Sequence, residues 1–184
     1  MLTINSVIAL ALCALPALAA PPSVPGIHNF AQVDEHVYRG AQPTNEGFRY
    51  LADHGIKIVL DLREPGGRSL SEERMVEADG MRYINVPMSG LVPPTAAETE
   101  KVLALLEDPA AGPVFVHCMR GADRTGSVIA AYRIDHYGWD NARALQEAMA
   151  NGMSSFQFPR QKFIRNFRPR SAPNAGVSTA EARN

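Results

Sequence analysis

Val114-Phe115-Val116-His117 is the most buried-looking run of the chain, rich in β-branched and aromatic side chains. It is followed within a few residues by a helical stretch from about Thr125 to Tyr137, which Gly138 ends. A buried strand that turns at once into a helix needs neighbouring strands on both sides and helices on both faces. The rest of the chain supplies them. Val37-Tyr38-Arg39 and the segments 56–62 and 81–86 read as further strands. Thr44 caps a helix to about His54, which Gly55 stops. Ser69-Leu70-Ser71-Glu72 and Thr95-Ala96-Ala97-Glu98 read as capping boxes, opening helices to Gly80 and to about Glu107. Asp140 caps a helix to about Met149, and a last one covers Pro159 to Phe167. This alternation predicts an α/β fold with a mostly parallel central sheet flanked by helices. Ligands in such folds sit at the carboxyl ends of strands, which directs attention to His117.

Composition sets the class. The 184 residues are 46% hydrophobic and 20% charged, with a formal charge of -1. That is ordinary globular make-up, and near-neutrality argues against nucleic-acid binding, which needs a strong positive field. No charged side chain precedes Asp34. Val7 to Leu18 is nearly all apolar and meets Ala17-Leu18-Ala19, which predicts a secretory signal cut after Ala19, with a retained anchor as the alternative. Both place the folded part in the periplasm or outside the cell. Residues 20–34 read as a linker, 35–170 as one domain and 171–184 as a disordered tail. A monomer is expected. Removal of residues 1–19 takes Cys13 away and leaves Cys118 as the one thiol. In an oxidising compartment a thiol with no partner is either buried and inert or chemically employed.

Chemistry is concentrated in His117-Cys118-Met119-Arg120-Gly121-Ala122-Asp123-Arg124-Thr125-Gly126. Five residues between Cys118 and Arg124 allow a loop whose backbone N–H groups face one centre. With the positive end of the following helix, that concavity is an anion site. Arg124 adds a planar fork for two phosphate oxygens. Gly121 allows positive φ at the turn, and Gly126 allows close packing of the helix start. The same field favours thiolate at Cys118, placed for in-line attack on a phosphorus held above it. Thr125 can donate its hydroxyl to the sulfur, and His117 orients the loop through its ring.

This segment resembles the signature of cysteine-dependent protein tyrosine and dual-specificity phosphatases, His-Cys-x5-Arg-Thr-Gly, with His117, Cys118, Gly121, Arg124, Thr125 and Gly126 in register. The segments 38–43 and 58–63 look like the opening strands of compact atypical dual-specificity phosphatases of bacteria, fungi and plants. The resemblance implies a phosphocysteine intermediate on Cys118, Arg124 as phosphate clamp, Thr125 as thiolate partner, and Met119 to Arg124 as the phosphate-binding loop. It implies no cofactor and no metal, and the remaining histidines show no metal-ligand spacing. The implied partner is a phosphorylated protein, a phosphoinositide or an inositol phosphate. A non-catalytic phosphate-binding module and a rhodanese-type sulfurtransferase are the alternatives.

The chain departs from the family at the proton donor, an aspartate usually found on a loop about thirty residues before the cysteine. Here that loop, Pro87 to Pro94, holds no acid. Asp123 is one substitute, since Cys-x-x-Gly-x-Asp-Arg-Thr is similar to the myotubularin lipid phosphatases; the alternative is a brace for the loop. Asp61, at a strand end near Arg63, is a second candidate with a structural alternative. A third possibility is that good leaving groups, such as phosphoanhydrides or aryl phosphates, need no donor. Arg120 is expected at the cleft mouth, either meeting a second phosphate or solvated. Arg160, Lys162, Arg165, Arg168 and Arg170 read as one basic helix side, solvated or in weak contact with an anionic membrane. Phe156, Phe158, Phe163 and Phe167 are expected to fasten that helix to the core.

Overall fold

The computed structural model describes residues 24–170, so the expected signal and tail lie outside the described residues. The strands are β1 (Ala31–Gln32), β2 (Val37–Ala41), β3 (Ile58–Asp61), β4 (Arg82–Asn85) and β5 (Val114–Cys118). The helices are α1 (Asn45–Asp53), α2 (Gly67–Ala78), α3 (Ala96–Leu106), α4 (Asp123–Tyr137), α5 (Asn141–Ala150) and α6 (Phe158–Asn166), with a short 3-10 turn at Pro109–Ala111. The sheet order is β1-β2-β5-β3-β4. All neighbours are parallel except β1, which runs antiparallel to β2. The α/β architecture is thus as the alternation of elements predicts.

β5 lies in the middle and all five of its residues are buried, which is why its sequence lacks a polar face. Its pleat divides its residues between the two cores. Val114, Val116 and Cys118 pack with Val102, Leu103, Leu106, Val128 and Ile129 of α3 and α4. Phe115 faces the other way, against Phe48 and Leu51 of α1 and Val76 of α2. His117 shares that second face, and Asp61 of β3 is its register partner. A third cluster joins α4 to α5 and α6 through Ala130, Ile134, Ala144, Ala148 and Ile164.

Several expected boundaries are corrected. The segment read as a linker over 20–34 is structured from Val24 onward: Val24 bridges Ile27, Ile27 is buried, and β1 pairs with β2. The pairing hid from the sequence because a two-residue strand leaves no period to read. α2 starts earlier than its apparent capping box. Gly66 is its cap, the Gly66 N–H donates to Ser69 Oγ at 2.8 Å, and Glu72 faces the core instead of closing the box. α4 starts at Asp123, not Thr125, so Arg124 and Thr125 lie in its first turn. The box at Thr95 and Glu98 is present as expected.

Candidate active site

The loop from Cys118 to Arg124 joins the end of β5 to the start of α4, at the carboxyl edge of the sheet. Its carbonyls are held from outside. Gln42 N–H donates to Met119 O at 3.3 Å. Asn29 Nδ2 donates to Arg120 O at 3.3 Å and to Gly121 O at 3.1 Å, and Arg39 Nη2 donates to Gly121 O as well. His117 Nδ1 lies 3.2 Å from Cys118 O. With these carbonyls turned outward, amides are left facing in, and those of Arg120 and Thr125 point at the Cys118 sulfur. Gly121 is required twice over. Its φ is +65°, and a Cβ there would come within 2.2 Å of the Gly40 carbonyl carbon. The loop therefore rests on the β2 backbone. Gly126 packs α4 against α5, where a Cβ would meet Met153 at 3.2 Å and Ala148 at 3.4 Å.

Cys118 is free and buried. Burial opposes its ionisation, yet the Thr125 hydroxyl, the Thr125 and Arg120 amides and the Arg124 guanidinium together hold the thiol below its ordinary range. The Thr125 hydroxyl is buried with no oxygen or nitrogen partner among the described residues, which leaves it to the sulfur. Arg124 Nη1 donates only weakly to Met88 O, at 3.3 Å, so its fork can turn to an incoming anion. The rate of alkylation by iodoacetamide against pH is therefore expected to have its midpoint below that of free cysteine. In Thr125→Val the midpoint should rise by about 1–2 pH units, the worth of one hydrogen bond to a charged group. An unshifted midpoint in the variant would remove Thr125 from the thiolate's support.

Behind the loop lies a charged network that the sequence did not disclose. His117 Nε2 is 2.7 Å from Glu72 Oε1. Arg63 Nη2 pairs with Glu72 at 2.5 Å and with Asp61 at 2.7 Å. Gln42 Nε2 donates to Glu72 at 3.1 Å, and the Tyr83 hydroxyl donates to Asp61 at 2.8 Å. Burial alone would lower the His117 pKa, but Glu72 and Asp61 raise it. Its two ring nitrogens thus face Glu72 and the Cys118 carbonyl. Asp61, Glu72 and His117 lie close enough together to share a cation, and the Arg63 guanidinium already fills that role.

These contacts correct the reading of Asp61 as an alternative acid. It is fully buried on the His117 side of the sheet. Burial would raise its pKa, but Arg63, His117 and Tyr83 hold it below the usual carboxylate range, the wrong direction for a proton donor. Asp123 sits at the loop as expected, with both oxygens engaged. Oδ1 accepts from the Ser154 N–H at 3.0 Å, and Oδ2 is paired with Arg120. Arg120 is exposed at the mouth, as is Met119. Beside them a cleft of about 370 Å³ is lined by Arg63, Gly66, Ser69, Met119 and Arg124.

The basic run on the last helix is divided. Lys162, Arg165 and Arg168 are exposed. Arg170 is paired with Glu107 and Asp135. Arg160 is fully buried and donates to Ser89 O at 2.6 Å. The run thus does not form one continuous charged side, because helical spacing alone ignores which neighbours meet each position. The aromatic residues divide as well. Phe163 and Phe167 pack on the core, whereas Phe156 and Phe158 are exposed.

The chain is 27% identical over 152 residues to the inositol diphosphatase DSP3 of Arabidopsis thaliana, covering 80% of this chain and 71% of that protein. It is 29% identical over 140 residues to the dual specificity protein phosphatase TpbA of Pseudomonas aeruginosa, covering 74% of this chain but only 58% of that one. Among solved structures, the catalytic domain of the PP-IP phosphatase Siw14 of Saccharomyces cerevisiae superposes with a TM-score of 0.69 at 27% identity, covering 79% and 89% of the two chains. TpbA gives 0.66 at 27% identity over 80% and 89%. The family model of the DSP-PTPase phosphatase fused to NAD+ kinase matches residues 22–166. A thiol at a strand end, an encircling loop of amides and a closing Arg-Thr-Gly turn thus meet the family match over most of the chain, and this protein belongs to the DSP-PTPase phosphatases, cysteine-based enzymes of the tyrosine and dual-specificity type.

Proposed function

We propose that this protein is an exported phosphatase whose preferred bond is a phosphoanhydride, with the diphosphate group of an inositol diphosphate as the leading substrate. The observation that carries this reading is the commitment of both candidate acids. Asp61 is locked to Arg63 and Tyr83. Asp123 is locked to Arg120 and Ser154. The segment 87–94 offers no carboxyl group to replace them. Expelling an alkoxide without a proton is slow, whereas a phosphate leaves without one. The names of the relatives DSP3 and Siw14 point the same way. Aryl phosphates share the good leaving group, and TpbA has been solved with phosphotyrosine bound, which makes phosphotyrosine the second reading.

In the first step the Cys118 thiolate attacks the terminal phosphorus. The S–P bond forms, the bridging P–O bond breaks, and its electron pair leaves on the departing phosphate. Inward amides and Arg124 hold the three equatorial oxygens. Water then attacks the phosphocysteine, the P–S bond breaks with its electron pair returning to sulfur, and thiolate is regenerated; both protons of the water leave on the phosphate product, as dihydrogen phosphate.

Asp123→Asn tests the reading. It is expected to change turnover on a diphosphoinositol polyphosphate, on p-nitrophenyl phosphate and on an alkyl phosphate by similar factors, within about tenfold. General acid catalysis is worth roughly 10²–10⁴-fold. A drop of that size confined to the alkyl phosphate would make Asp123 the donor and overturn the anhydride preference.

A further inference from the structure

Arg39 lies outside the phosphatase signature, and its burial is unusual. It is the third residue of β2, in register with Val116 of β5. The pleat puts it on the face of Val37, which packs with Val114 and Val116. Its guanidinium is therefore on the Cys118 side of the sheet, opposite His117. Only 1% of the residue is exposed. A guanidinium so deeply buried is normally paired with a carboxylate or fully hydrogen-bonded. Among the described residues, Arg39 Nε and Nη1 have no hydrogen-bond partner. Glu147, the carboxylate that acts on it most, gives both oxygens to Arg133 at 2.8 to 3.2 Å. The other negative group that acts on it is the Cys118 thiolate. Burial brings its pKa down only to about 10, so it stays charged at neutral pH. The hydrogen bond it does make goes to the phosphate loop, from Nη2 to Gly121 O. Asn29 Nδ2 donates to the same carbonyl at 3.1 Å. Asn29 has a φ of 52°, the one left-handed position outside glycine among the described residues, and such strain tends to collect at functional sites.

We infer that Arg39 is a positioning residue for phosphoryl transfer: it fixes and polarises the Gly121–Ala122 peptide unit, so that the Ala122 amide meets the oxygens of the bound phosphoryl group. This rests on the phosphocysteine reading above and holds for whichever phosphate is transferred. No peptide bond among the described residues is cis, so the carbonyl of one unit and its N–H point opposite ways. A neighbouring unit follows this rule. The Gln42 N–H holds the Met119 carbonyl from outside, and the Arg120 N–H of that same unit points at the sulfur. With the Gly121 carbonyl turned to Arg39, the Ala122 N–H is turned to the inside of the loop. A carbonyl that accepts from a cation and from Asn29 at once makes the N–H of its own unit a stronger donor. The charge of Arg39 is also little screened, because it is buried, and it adds to the field that favours thiolate at Cys118. Arg124 acts on the phosphate directly, whereas Arg39 acts through the main chain.

The test compares Arg39→Met, which keeps an unbranched apolar stem and removes the charge and its donors, with the parent protein. Turnover of p-nitrophenyl phosphate, the pH midpoint of Cys118 alkylation by iodoacetamide and the midpoint of thermal unfolding are measured together. Outright loss of an oxyanion donor costs about 10²–10³-fold in kcat. Here the Ala122 amide remains but is no longer aimed, so kcat should fall by about 10–10²-fold. The alkylation midpoint should rise by about 1 pH unit, as a nearby positive charge has gone. Thermal unfolding should shift by about 4 °C or less, because the lost bond is offset by no longer burying an unpaired charge. A merely structural part would do the reverse, lowering the unfolding midpoint and leaving the sulfur's unmoved. A parent-like kcat in Arg39→Met overturns the assignment, and so does a lowered kcat with an unmoved alkylation midpoint. Should Arg39→Met fail to fold, Asn29→Gly decides. Glycine takes the φ of 52° freely and removes the second donor from the same carbonyl, so kcat should fall and the alkylation midpoint rise, each by a smaller amount. The same two outcomes overturn the assignment there. Rapid mixing of the parent protein with p-nitrophenyl phosphate keeps the two questions apart. Without a phosphoenzyme burst, the chemistry on which Arg39 acts falls; with one, the variants judge Arg39 alone.

Discussion

Cys118→Ser is expected to lower turnover by about 10⁴–10⁶-fold on every substrate, as removal of a nucleophile does elsewhere, while phosphate analogues still bind. The two halves of this outcome have separate causes. The hydroxyl that replaces the thiol ionises far less readily than sulfur, and no base stands by to take its proton. His117, the adjacent ring, is buried and bonded to Glu72 and to the Cys118 carbonyl, so it has no free nitrogen for the task. The anion site survives because its parts are main-chain amides and Arg124, and neither depends on the sulfur. Rapid mixing with p-nitrophenyl phosphate should show a burst of phosphoenzyme in the parent protein and none in the variant. Equilibrium binding of vanadate or inorganic phosphate to the variant checks that the loop still forms. Burst formation in Cys118→Ser would place the nucleophile elsewhere. Loss of anion binding along with turnover would mean that the sulfur's charge holds the loop in shape. Arg124→Lys should retain weak binding but lose turnover, because a point charge cannot span two equatorial oxygens.

The nucleophile and its loop could be read from ten consecutive residues because their chemistry is local. A strand, a five-residue spacing and a helix start determine which amides can face the sulfur, whatever the rest of the chain does. What supports that loop comes from far away and carries no local signature. Asn29 donates to carbonyls about ninety residues ahead of it, yet it stands in a Pro-rich stretch whose composition reads as a linker. Glu72 satisfies the spacing of a capping box, and only the packing of α2 against the sheet shows that it meets His117 instead. Arg39 is the middle residue of β2, where a short run gives no hint of burial. Once buried, its pKa falls to about 10, with Glu147 and Cys118 partly opposing the drop. Arg160 belongs by spacing to a solvated basic helix, and the contact with Ser89 seventy-one residues earlier removes it from that face. In each case the periodic pattern is right about the element and silent about the partner. The parallel order β2-β5-β3 brings these partners together, since it puts the carboxyl ends of three strands beside one loop.

Glu72→Gln should cost the fold about 3–5 kcal/mol, the usual penalty for breaking a buried ion pair on one side. Glu72 is fully buried and receives Arg63, His117 and Gln42 at once. A glutamine of the same shape keeps an acceptor oxygen but leaves two cations facing one remaining carboxylate, Asp61. At roughly 2–4 °C per kcal/mol for a chain of this size, the midpoint of thermal unfolding should fall by about 10 °C. The pH dependence gives a sharper check. His117 has its folded pKa raised above the ordinary histidine value, chiefly by Glu72 against the opposing effect of burial. Its contribution to stability is complete below about pH 6.5 and fades as pH rises through the higher folded value. Asp61 behaves oppositely: its folded pKa is lowered, so its contribution is lost only as pH falls through that low value. The parent protein should therefore lose stability both in acid and above neutrality. In Glu72→Gln the alkaline-side loss should flatten, because the largest cause of the raised histidine pKa has gone, and the gap between the two proteins should narrow as pH rises. The same change frees the His117 ring from its tether, loosens its hold on the Cys118 carbonyl, and should move the alkylation midpoint of Cys118 to higher pH. Urea unfolding at several pH values measures the first effect and iodoacetamide the second. A variant with unaltered stability and an unaltered thiol midpoint would show that the network behind the loop is dispensable, and that the amides alone hold the sulfur in its charged form.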